Sequence, residues 1–598
     1  MMLLSATTEC DDKVSARPPR YRLAAHRVLG TAGSLVTVVG GLLAGVRPVG
    51  EVAIDLPIVH QVRASTALSV AVVYVGLTML LLAWWQVGRQ VRSGDTSCRS
   101  LATTAAWWGA PFALTIPIFS GDVHSYLAQG AMTRAGLDAY QVGPAALGGP
   151  LTVNVPDIWQ HTPAPYGPIF LNLAGGVTEV TGGGVWAGIL GMRLLALLGV
   201  GLMVWSVPRL ARFCGVRPAA AMWLGVLNPL VLLHLIGDAH NEAVMLGLMC
   251  VGLVMTLRHR PVVGVVLLTL ATLVKAPAAL AIAFVVPIWA RQIGGRWPRL
   301  RVALWVGAVA GVTAVLVTAL AGMSFGWVQA LGTPTHARTW MSITTDLGWA
   351  VGTVLHHLIG VGVEQTRHAV WLVGLVGAAG LCVALWRRSA RTGPVTALGL
   401  SLAVVVIAGP VVHPWYLLWA IVPLAAAANG TAIRRVVTAG SVALVLLVLP
   451  GGVQPGLPAL VGALAGTVPV LVAAAAFLRL RRRGGSASSA ADPAERIQPV
   501  LTAGRAVGRS PGGRRPTAQP ALVAATGNAG RRAPARHVDP AGDTDHDAPP
   551  AAGQRLALRA VSTRRGGLPR WYTAVPTTAA GPAVCHCWWS SGPHRRHR

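Results

Sequence analysis

The side chains in this sequence that could do chemistry are concentrated in one stretch, residues 119–170. Its polar and aromatic residues include Asp122, His124, Tyr126, Asp138, Tyr140, Asp157, Trp159, His161 and Tyr166. Carboxylates and imidazoles can move protons, and aromatic faces can stack on sugar rings. The stretch predicts a substrate-binding loop, and its candidate binding residues are Tyr126, Asp138, Tyr140, Trp159, His161 and Tyr166. Its aromatic residues could equally form the belt that is common at membrane interfaces.

Asp122 is the candidate catalytic residue. It follows an apolar run that ends near Phe119, which puts a carboxylate at the boundary between membrane and water. From there it could accept a proton from an acceptor hydroxyl while a lipid-linked leaving group stays in the bilayer. It could equally be a polar residue at a helix end, bonded to Ser120 and Ser125. The spacing alone does not separate these two roles.

Lys275 interrupts a long apolar run and is the only lysine after Lys13. An ammonium at membrane depth is costly and marks a functional site by default. A lipid phosphate is a natural partner for such a point charge. The competing interpretation is a lysine that snorkels from a helix end to the interface. We favour the functional interpretation.

A short turn at residues 237–242 joins two apolar runs and contains Asp238, His240 and Glu242. These three residues could line a substrate site or bind a metal. For Asn241, a helix N-cap is the simpler explanation. We keep the other three as candidate binding residues and expect neither a metal nor a cofactor.

Two further segments supply candidates for phosphate binding. His413 and Trp415 lie in a turn between apolar runs, and His413 could assist an anionic phosphate. Arg338 lies in a long polar segment and could clamp a phosphate in bidentate fashion.

Membrane helices must position these residues. Of the 598 residues, 53% are hydrophobic and 12% charged, with a mean hydropathy of +0.57; soluble chains have about 25% charged residues. Many apolar runs approach the length that crosses a bilayer as a helix, so we predict an all-α polytopic membrane protein with about 12–14 transmembrane helices. We divide the chain into an N-terminal segment 1–27, a transmembrane domain 28–483 and a disordered, basic, low-complexity tail 484–598.

Charge distribution predicts the orientation in the plasma membrane. The formal net charge is +29, nearly all of it from arginine. The arginine clusters follow alternate apolar runs, so they fall on one side, which is the cytoplasmic side and holds both termini. This explains the basic charge without nucleic acid as a partner.

The carboxylates lie on the opposite side. Between residues 100 and 480 all eight fall in or beside outer connections, which include two large loops, 120–168 and 324–367. Acidic residues have little influence on topology. Their segregation therefore predicts an extracytoplasmic active site.

Several long segments also resemble one enzyme family, the polyprenol-phosphomannose-dependent α-1,6-mannopyranosyltransferases of actinobacterial envelopes. In order along the chain they read FSGDVHSYLAQGAMTRAGLDAYQVGP, HTPAPYGPIFL, LNPLVLLHLIGDAHNEAVMLGLM, LVKAPAALAIAF and HPWYLLWAIVPLA. The resemblance spans about residues 28–480. It implies a GT-C-type fold with an outer active site and a polyprenyl-phosphate-mannose donor. The implied acceptor is the lipid-anchored mannan of lipomannan and lipoarabinomannan.

The resemblance also implies a role for Asp122, which matches the acidic residue in the family's first large outer loop. We expect inverting transfer with Asp122 as the base and Lys275 near the leaving phosphate. The family usually has Phe-Ser-Arg-Asp-Val-Tyr-Ser-Tyr where this chain has Gly121 and His124 at the third and sixth positions. The missing arginine removes a cation beside the base, which His124 or Arg134 could replace.

Two other functions remain open at this point. A lipid-substrate transporter or flippase could use the same lysine and carboxylates to bind cargo, although we find no internal repeat and no carboxylate deep in an apolar run. A non-catalytic member of the family is the second alternative, because the arginine is missing at position 121.

Overall fold

A computed structural model describes residues 20–45, 57–94, 96–336, 339–451, 453 and 455–490. All the regular secondary structure in these ranges is helical. Up to Gly485 they belong to one compact unit. Arg338 and the tail beyond Ala490 lie outside the described residues, so the clamp and the disorder predicted there stay predictions.

The N-terminal half contains ten α-helices and two π-helical turns among the described residues. The helices are α1 (Arg20–Ala44), α2 (Pro57–Ala64), α3 (Thr66–Ser93), α4 (Cys98–Ala113), α5 (Asp122–Arg134), α6 (Gly149–Val153), α7 (Asp157–Gln160), α8 (Pro168–Val180), α9 (Val185–Phe213) and α10 (Pro218–Ala221). The π-helical turns are Met222–Val226 and Val231–Gly237.

The described C-terminal half contains eleven α-helices. They are α11 (Glu242–Leu257), α12 (Pro261–Thr272), α13 (Ala279–Ile293), α14 (Pro298–Leu320), α15 (Gly326–Gln329), α16 (Ile343–Ile359), α17 (Val363–Thr392), α18 (Pro394–Ala408), α19 (Leu418–Ala427), α20 (Thr431–Leu447) and α21 (Leu457–Ala490). Short 3₁₀ turns lead into α13 and α19, at Ala276–Ala278 and Pro414–Leu417.

Seven helices in the described ranges are long and apolar enough to cross a membrane. They are Leu23–Ala44, Thr66–Ser93, Val185–Phe213, Ala276–Ile293, Pro298–Leu320, Val363–Thr392 and Leu457–Arg479. The pair Pro218–Val226 and Val231–Gly237 forms one further candidate span bent by 60°, and the described residues also contain four shorter apolar helices of 10–17 residues. The prediction of an all-α polytopic membrane protein is confirmed.

Two of the predicted domain limits fall inside helices. The first helix begins at Arg20, before the limit at residue 28, and α21 continues past residue 483 to Ala490. Helix ends beside a membrane are set by backbone hydrogen bonding as well as by apolar length, so composition alone does not locate them.

The residue pattern at 125–137 predicts an amphipathic interfacial helix with Leu127, Ala131 and Met132 towards lipid, and for Leu127 and Met132 that prediction is wrong. Both side chains are fully buried, and α5 packs against α8 and α9. A methyl group on Gly130 would lie 2.5 Å from the backbone of Ala174 and Gly175, so the two helices meet backbone to backbone. Small residues permit this close approach inside a membrane bundle. The large loop is therefore partly folded into the protein.

A second close contact fixes the helix that begins at Glu242. A methyl group on Gly199 of α9 would lie 2.3 Å from the carbonyl carbon of Ala243, and one on Gly247 would lie 2.5 Å from the carbonyl oxygen of Gly199. The backbones of α9 and α11 thus touch at two glycines. This contact sets where the first turn of α11 lies.

The bend before this helix is built around Asn228, which is fully buried. Its amide nitrogen donates to the carbonyl oxygen of Leu224 at 3.0 Å and to Ser441 Oγ at 2.8 Å, and its Oδ1 accepts from the backbone N–H of Leu230 at 3.0 Å. The side chain replaces backbone hydrogen bonds that the break between the π-helical turns leaves open. Such π-helical irregularities are frequent at functional sites.

Candidate active site

The turn at residues 237–242 is tied to the beginning of the large loop. Asp238 is fully buried, and its Oδ1 accepts from the backbone N–H groups of Ile118 and Phe119 at 2.9 and 3.0 Å. Arg193 donates to the carbonyl oxygen of Gly237 at 2.7 Å. These bonds hold the segment that leads into Asp122 against the turn that carries His240.

The turn itself is strained at Ala239, whose φ of 54° lies in the left-handed region. A non-glycine residue in this conformation costs free energy and persists only where the surroundings impose it. Here it lies between two candidate site residues, Asp238 and His240. Backbone strain of this kind is common at functional sites.

His240 is the centre of a buried cluster. Its Nδ1 lies 3.0 Å from the Tyr126 hydroxyl, 3.7 Å from Asp122 Oδ2 and 3.9 Å from Glu242 Oε2. Its ring stacks on Trp415, with the centroids 4.0 Å apart. Five of the predicted site residues therefore meet at one point.

Lys275 joins the same cluster through an ion pair with Glu242. Its ammonium lies over the rings of Tyr416, Tyr166 and Trp419, at 4.7, 5.6 and 5.7 Å from their centroids. Aromatic faces stabilise a cation in this position. The Lys275 side chain is buried and is held by a carboxylate and three rings.

The start of α8 brings Tyr166 to this lysine. The backbone N–H groups of Gly167 and Ile169 donate to the carbonyl oxygens of Val274 and Leu273, at 3.4 and 3.2 Å. A methyl group on Gly167 would lie 2.1 Å from the Leu273 oxygen, so only glycine permits the contact. The large loop and the Lys275 segment are joined here.

Aromatic rings form one wall of the cluster. Tyr126, Tyr166 and Phe170 meet edge to face with centroids 4.9–5.3 Å apart, an arrangement that aromatic pairs prefer. Tyr166 and Phe170 are buried here and not in a lipid-facing belt. On the other side, the His413 ring stacks on Trp415 at 4.4 Å.

Asp122 begins α5, and its side chain is 18% exposed. Burial raises the pKa of its carboxyl to about 6, although the positive charge of Lys275 acts in the opposite direction. A base with a pKa just below neutral is ionised at pH 7 and still accepts a proton readily.

Neither His124 nor Arg134 replaces the arginine that the family usually has at the position of Gly121. His124 is buried, and burial lowers its pKa to about 4, so the imidazole is neutral. Arg134 lies at the other end of α5 and pairs with Glu179 at 3.4 Å. Both compensation hypotheses are wrong, because one side chain has no charge and the other points its charge elsewhere.

Four predicted binding residues of the large loop are not among the described side chains that meet at His240 and Lys275. Asp138 accepts from the backbone N–H of Tyr140 at 2.9 Å and from Ser324 Oγ at 3.0 Å. The Tyr140 side chain lies against Gly326. Trp159, in α7, is half-buried, and His161 is exposed just after that helix. These residues form a separate part of the loop.

Asn241 does not cap α11 with its side chain, so that expectation is wrong. The residue is buried, and neither atom of its amide has a hydrogen-bond partner among the described residues. The same holds for Nε2 of His234 and of His240 and for Glu242 Oε2. Buried polar atoms almost always have partners, in the protein or in ordered water, so these atoms are available to bond to water or to a polar ligand.

The sequence reasoning missed His234 and Arg193. His234 is fully buried and its Nδ1 lies 3.2 Å from Asp238 Oδ2. Arg193 is buried within α9. Both are ionisable residues inside apolar runs, which is itself a signal of function and could have identified them.

His234, Asp238 and His240 lie close enough together for one ion to reach all three. The carboxylate of Asp238, however, already accepts two backbone N–H groups and bonds to His234. We therefore assign the three to a hydrogen-bonded network that supports the turn. The prediction of no metal stays a prediction.

Two family models match this chain. Residues 27–291 match the N-terminal domain of α-(1→6)-mannopyranosyltransferases, and residues 344–479 match the MptB C-terminal domain. No solved structure matches the chain.

Similar curated proteins come from mycobacteria and corynebacteria. An α-(1→6)-mannopyranosyltransferase of Mycobacterium tuberculosis is 35% identical over 83% of this chain and 93% of its own length. α-(1→6)-Mannopyranosyltransferase B of Corynebacterium glutamicum is 37% identical over 75% of this chain and 81% of its own. α-(1→6)-Mannopyranosyltransferase A of M. tuberculosis is 37% identical over 69% and 81%.

The fold is that of an all-α polytopic membrane protein, and its helices gather ionisable and aromatic side chains into one buried cluster. The chain belongs to the α-(1→6)-mannopyranosyltransferase family. It is a glycosyltransferase that transfers mannose from a sugar donor to a glycan acceptor in a membrane setting. The comparisons thus favour an enzyme that transfers mannose over a lipid transporter.

Proposed function

We propose that this enzyme transfers mannose from a polyprenyl-phosphate-mannose donor to a primary hydroxyl of a lipid-anchored α-1,6-mannan, with inversion at the anomeric carbon. The observation that carries the proposal is the convergence of Asp122 and Lys275 on one buried, aromatic-lined cluster. One group can accept a proton and the other can hold a phosphate.

Asp122 is the general base in this reaction. The acceptor oxygen forms a bond to the anomeric carbon while the bond from that carbon to the phosphate oxygen breaks. The proton of the acceptor hydroxyl passes to the Asp122 carboxylate, and the electron pair leaves with the polyprenyl phosphate. The raised pKa of the Asp122 carboxyl, about 6, suits a base that works near neutral pH.

Lys275 stabilises the charge on the leaving phosphate. Its ammonium is already desolvated against three rings and paired with Glu242, so the cation is in position before the phosphate develops its charge. Electrostatic stabilisation by such preorganised groups often contributes more to catalysis than any other effect. The stacked rings of His413 and Trp415 lie next to this group and contribute to the phosphate-binding part of the site. Arg338 remains a candidate clamp.

The sugar occupies the space next to the unpaired polar atoms. The Asn241 amide and Glu242 Oε2 can bond to mannose hydroxyls, and the imidazole of His240 can do the same through Nε2. The rings of Tyr126 and Tyr166 offer faces and edges to the sugar. Asp138 and Tyr140 are better suited to the acceptor glycan, since their contacts lie outside the cluster. We assign Trp159 and His161, which belong to the same loop, to the acceptor with them.

The site faces the extracytoplasmic side in this proposal. The positive-inside rule assigns the arginine clusters to the cytoplasmic side and the carboxylates to outer connections. A donor anchored by a polyprenyl chain explains why the reactive cluster lies among membrane helices.

The donor can be tested with the purified protein in nanodiscs and an α-1,6-mannoside acceptor. Radiolabelled polyprenyl-phosphate-mannose and GDP-mannose are supplied in parallel. We expect transfer from the lipid donor alone, and an α-linked product from a β-linked donor. Transfer from GDP-mannose at a comparable rate, or retention of the donor's configuration, would contradict the proposal.

A further inference from the structure

A cavity of about 490 Å³ lies at the far end of the helix that begins in the active site. Glu242 is in the first turn of α11, and Leu257, its last residue, lines the cavity. A helix of 16 residues is about 24 Å long. The cavity is therefore separate from the catalytic cluster, and it lies on the face that carries the arginine clusters.

The cavity has an apolar wall and a basic wall. The apolar wall consists of Phe213, Met255, Leu257 and Ile288, from the ends of α9, α11 and α13. The basic wall consists of Arg258, His259, Arg260 and Arg291, with Gln292 beside them. Its volume is in the range of small-molecule sites.

A tight turn concentrates three of these basic residues. Arg258, His259 and Arg260 connect α11 to α12, and the φ of His259 is 60°, in the left-handed region. The turn therefore presents three consecutive basic side chains at one edge of the cavity. Arg258 also lies over the Trp205 ring, 5.9 Å from its centroid.

The described lining of the cavity contains no Asp or Glu. The chain has no carboxylate between residues 180 and 237 or between 243 and 345, and Glu242 lies at the other end of α11. The lining therefore presents a basic surface that suits an anionic ligand.

Membrane orientation explains arginines on this face but not their arrangement around a cavity. Arg387, Arg388 and Arg391 belong to another cluster assigned to the same face, and they line no part of this cavity. An apolar wall beside a basic one matches a molecule with both an anionic group and a hydrocarbon part. Basic pockets between transmembrane helices bind lipid headgroups in this manner.

We propose that this cavity binds an anionic membrane phospholipid, with its headgroup phosphate at Arg258, Arg260 and Arg291 and an acyl chain along Phe213, Leu257 and Ile288. Arginine is suited to phosphate because its planar guanidinium bonds two oxygens at once. The proposal is independent of the donor and the acceptor at the other end of α11.

The test is lipid binding to the purified full-length protein, followed by native mass spectrometry in a non-ionic detergent. Phosphatidylglycerol is titrated against the wild type and against the double variant Arg258→Gln, Arg260→Gln. The control double variant is Arg387→Gln, Arg391→Gln, which removes the same charge outside the cavity. Phosphatidylcholine and inorganic phosphate are titrated in parallel.

We expect phosphatidylglycerol to bind the wild type and the control variant alike, and the cavity variant about 30-fold more weakly, since each arginine contributes about fivefold. If the double variant does not fold, each single variant should show its fivefold loss. Equal loss in both double variants, or none in either, would overturn the proposal. Displacement of the lipid by inorganic phosphate at similar affinity would also overturn it, because the site would then bind free phosphate.

Discussion

At the scale of single residues, the proposed transfer depends on two charged groups, Asp122 and Lys275, each of which affects the charge state of the other. Asp122 is partly exposed and Lys275 is nearly buried, and the charge of the lysine lowers the pKa that burial raises in the aspartate. Glu242 acts on both groups. It forms an ion pair with Lys275, and its negative charge raises the pKa of the Asp122 carboxyl. The pair is useful only when Asp122 is ionised and Lys275 is charged.

The pH dependence of transfer should follow Asp122. With a pKa of about 6 in the free enzyme, the base is ionised above that pH and protonated below it. We expect kcat/KM to be level from about pH 7 upward and to fall about tenfold per unit below pH 6. Transfer rates measured from about pH 5 to 9 at low donor concentration test this. A level profile down to about pH 4, near an ordinary carboxyl, would contradict it.

Replacing Lys275 should slow transfer and should also shift the acidic limb of the pH profile, the range in which kcat/KM falls. In Lys275→Met the leaving phosphate loses its cation, so we expect kcat to fall about a hundredfold or more. The Asp122 carboxyl also loses the charge that lowers its pKa, so the limb should move above pH 6. Lys275→Arg is the matched control and should keep the limb in place. A slow Lys275→Met enzyme with an unmoved limb would show that the two groups do not interact.

The sequence predicted these residues because ionisable groups are rare in an apolar chain. Asp122, His240, Glu242 and Lys275 were identified in this way and are found together. His234 and Arg193 carried the same signal within apolar runs and were overlooked. Asn241 was misassigned because a short polar residue before a helix is usually a cap, and only the packed structure leaves its amide without partners.

At the scale of elements, backbone contacts between helices place these side chains. The contact of α9 with α11 at Gly199 locates Glu242, and the contact of α5 with α8 at Gly130 locates Asp122 and Tyr126. An amphipathic pattern cannot tell a face that packs on protein from one that packs on lipid, which is why the burial of α5 was not predictable. Glycine contacts depend on the partner helix and are equally invisible in one sequence.

A methyl group at Gly199 should lower the stability of the protein and its transfer rate, whereas a methyl group at the nearby Gly201 should not. In Gly199→Ala the new carbon meets the backbone of Ala243, so α11 must shift. We expect a lower thermal midpoint and a lower transfer rate, since overpacking costs about 1–3 kcal/mol. Gly201→Ala is the control, because its Cβ would meet nothing within 4 Å, and alanine favours a helix. Equal midpoints for the two variants would show that the contact does not position α11.

At the scale of the whole molecule, the candidate active site and the cavity proposed to bind a phospholipid lie at opposite ends of α11. The orientation proposed from the arginines puts the first outside and the second at the cytoplasmic surface. An all-α bundle follows from composition and apolar length. Which helices pack together does not follow from the sequence, because many contacts join helices that are far apart in the chain. An example is the hydrogen bond from the Tyr74 hydroxyl to the backbone oxygen of Val448.

Accessibility of two exposed turns should reveal this orientation. A short epitope inserted between Gly148 and Gly149, in the large loop, should be reached by antibody in spheroplasts with intact membranes. The same epitope between Gly294 and Gly295 should be reached only after permeabilisation. All four glycines have positive φ, as turns commonly do. The reverse pattern would place the active site in the cytoplasm.

The most direct test of the account compares two carboxylates of the same loop. Asp122→Asn removes the proposed base, whereas Asp157→Asn alters an exposed carboxylate bonded to Gln160. Both folded variants are assayed in nanodiscs for single-turnover transfer from polyprenyl-phosphate-mannose at neutral pH. We expect Asp122→Asn to be slower than the wild type by about 10²–10⁴-fold and Asp157→Asn to keep most of the rate. An Asp122→Asn enzyme that transfers mannose as fast as Asp157→Asn would contradict the proposed mechanism.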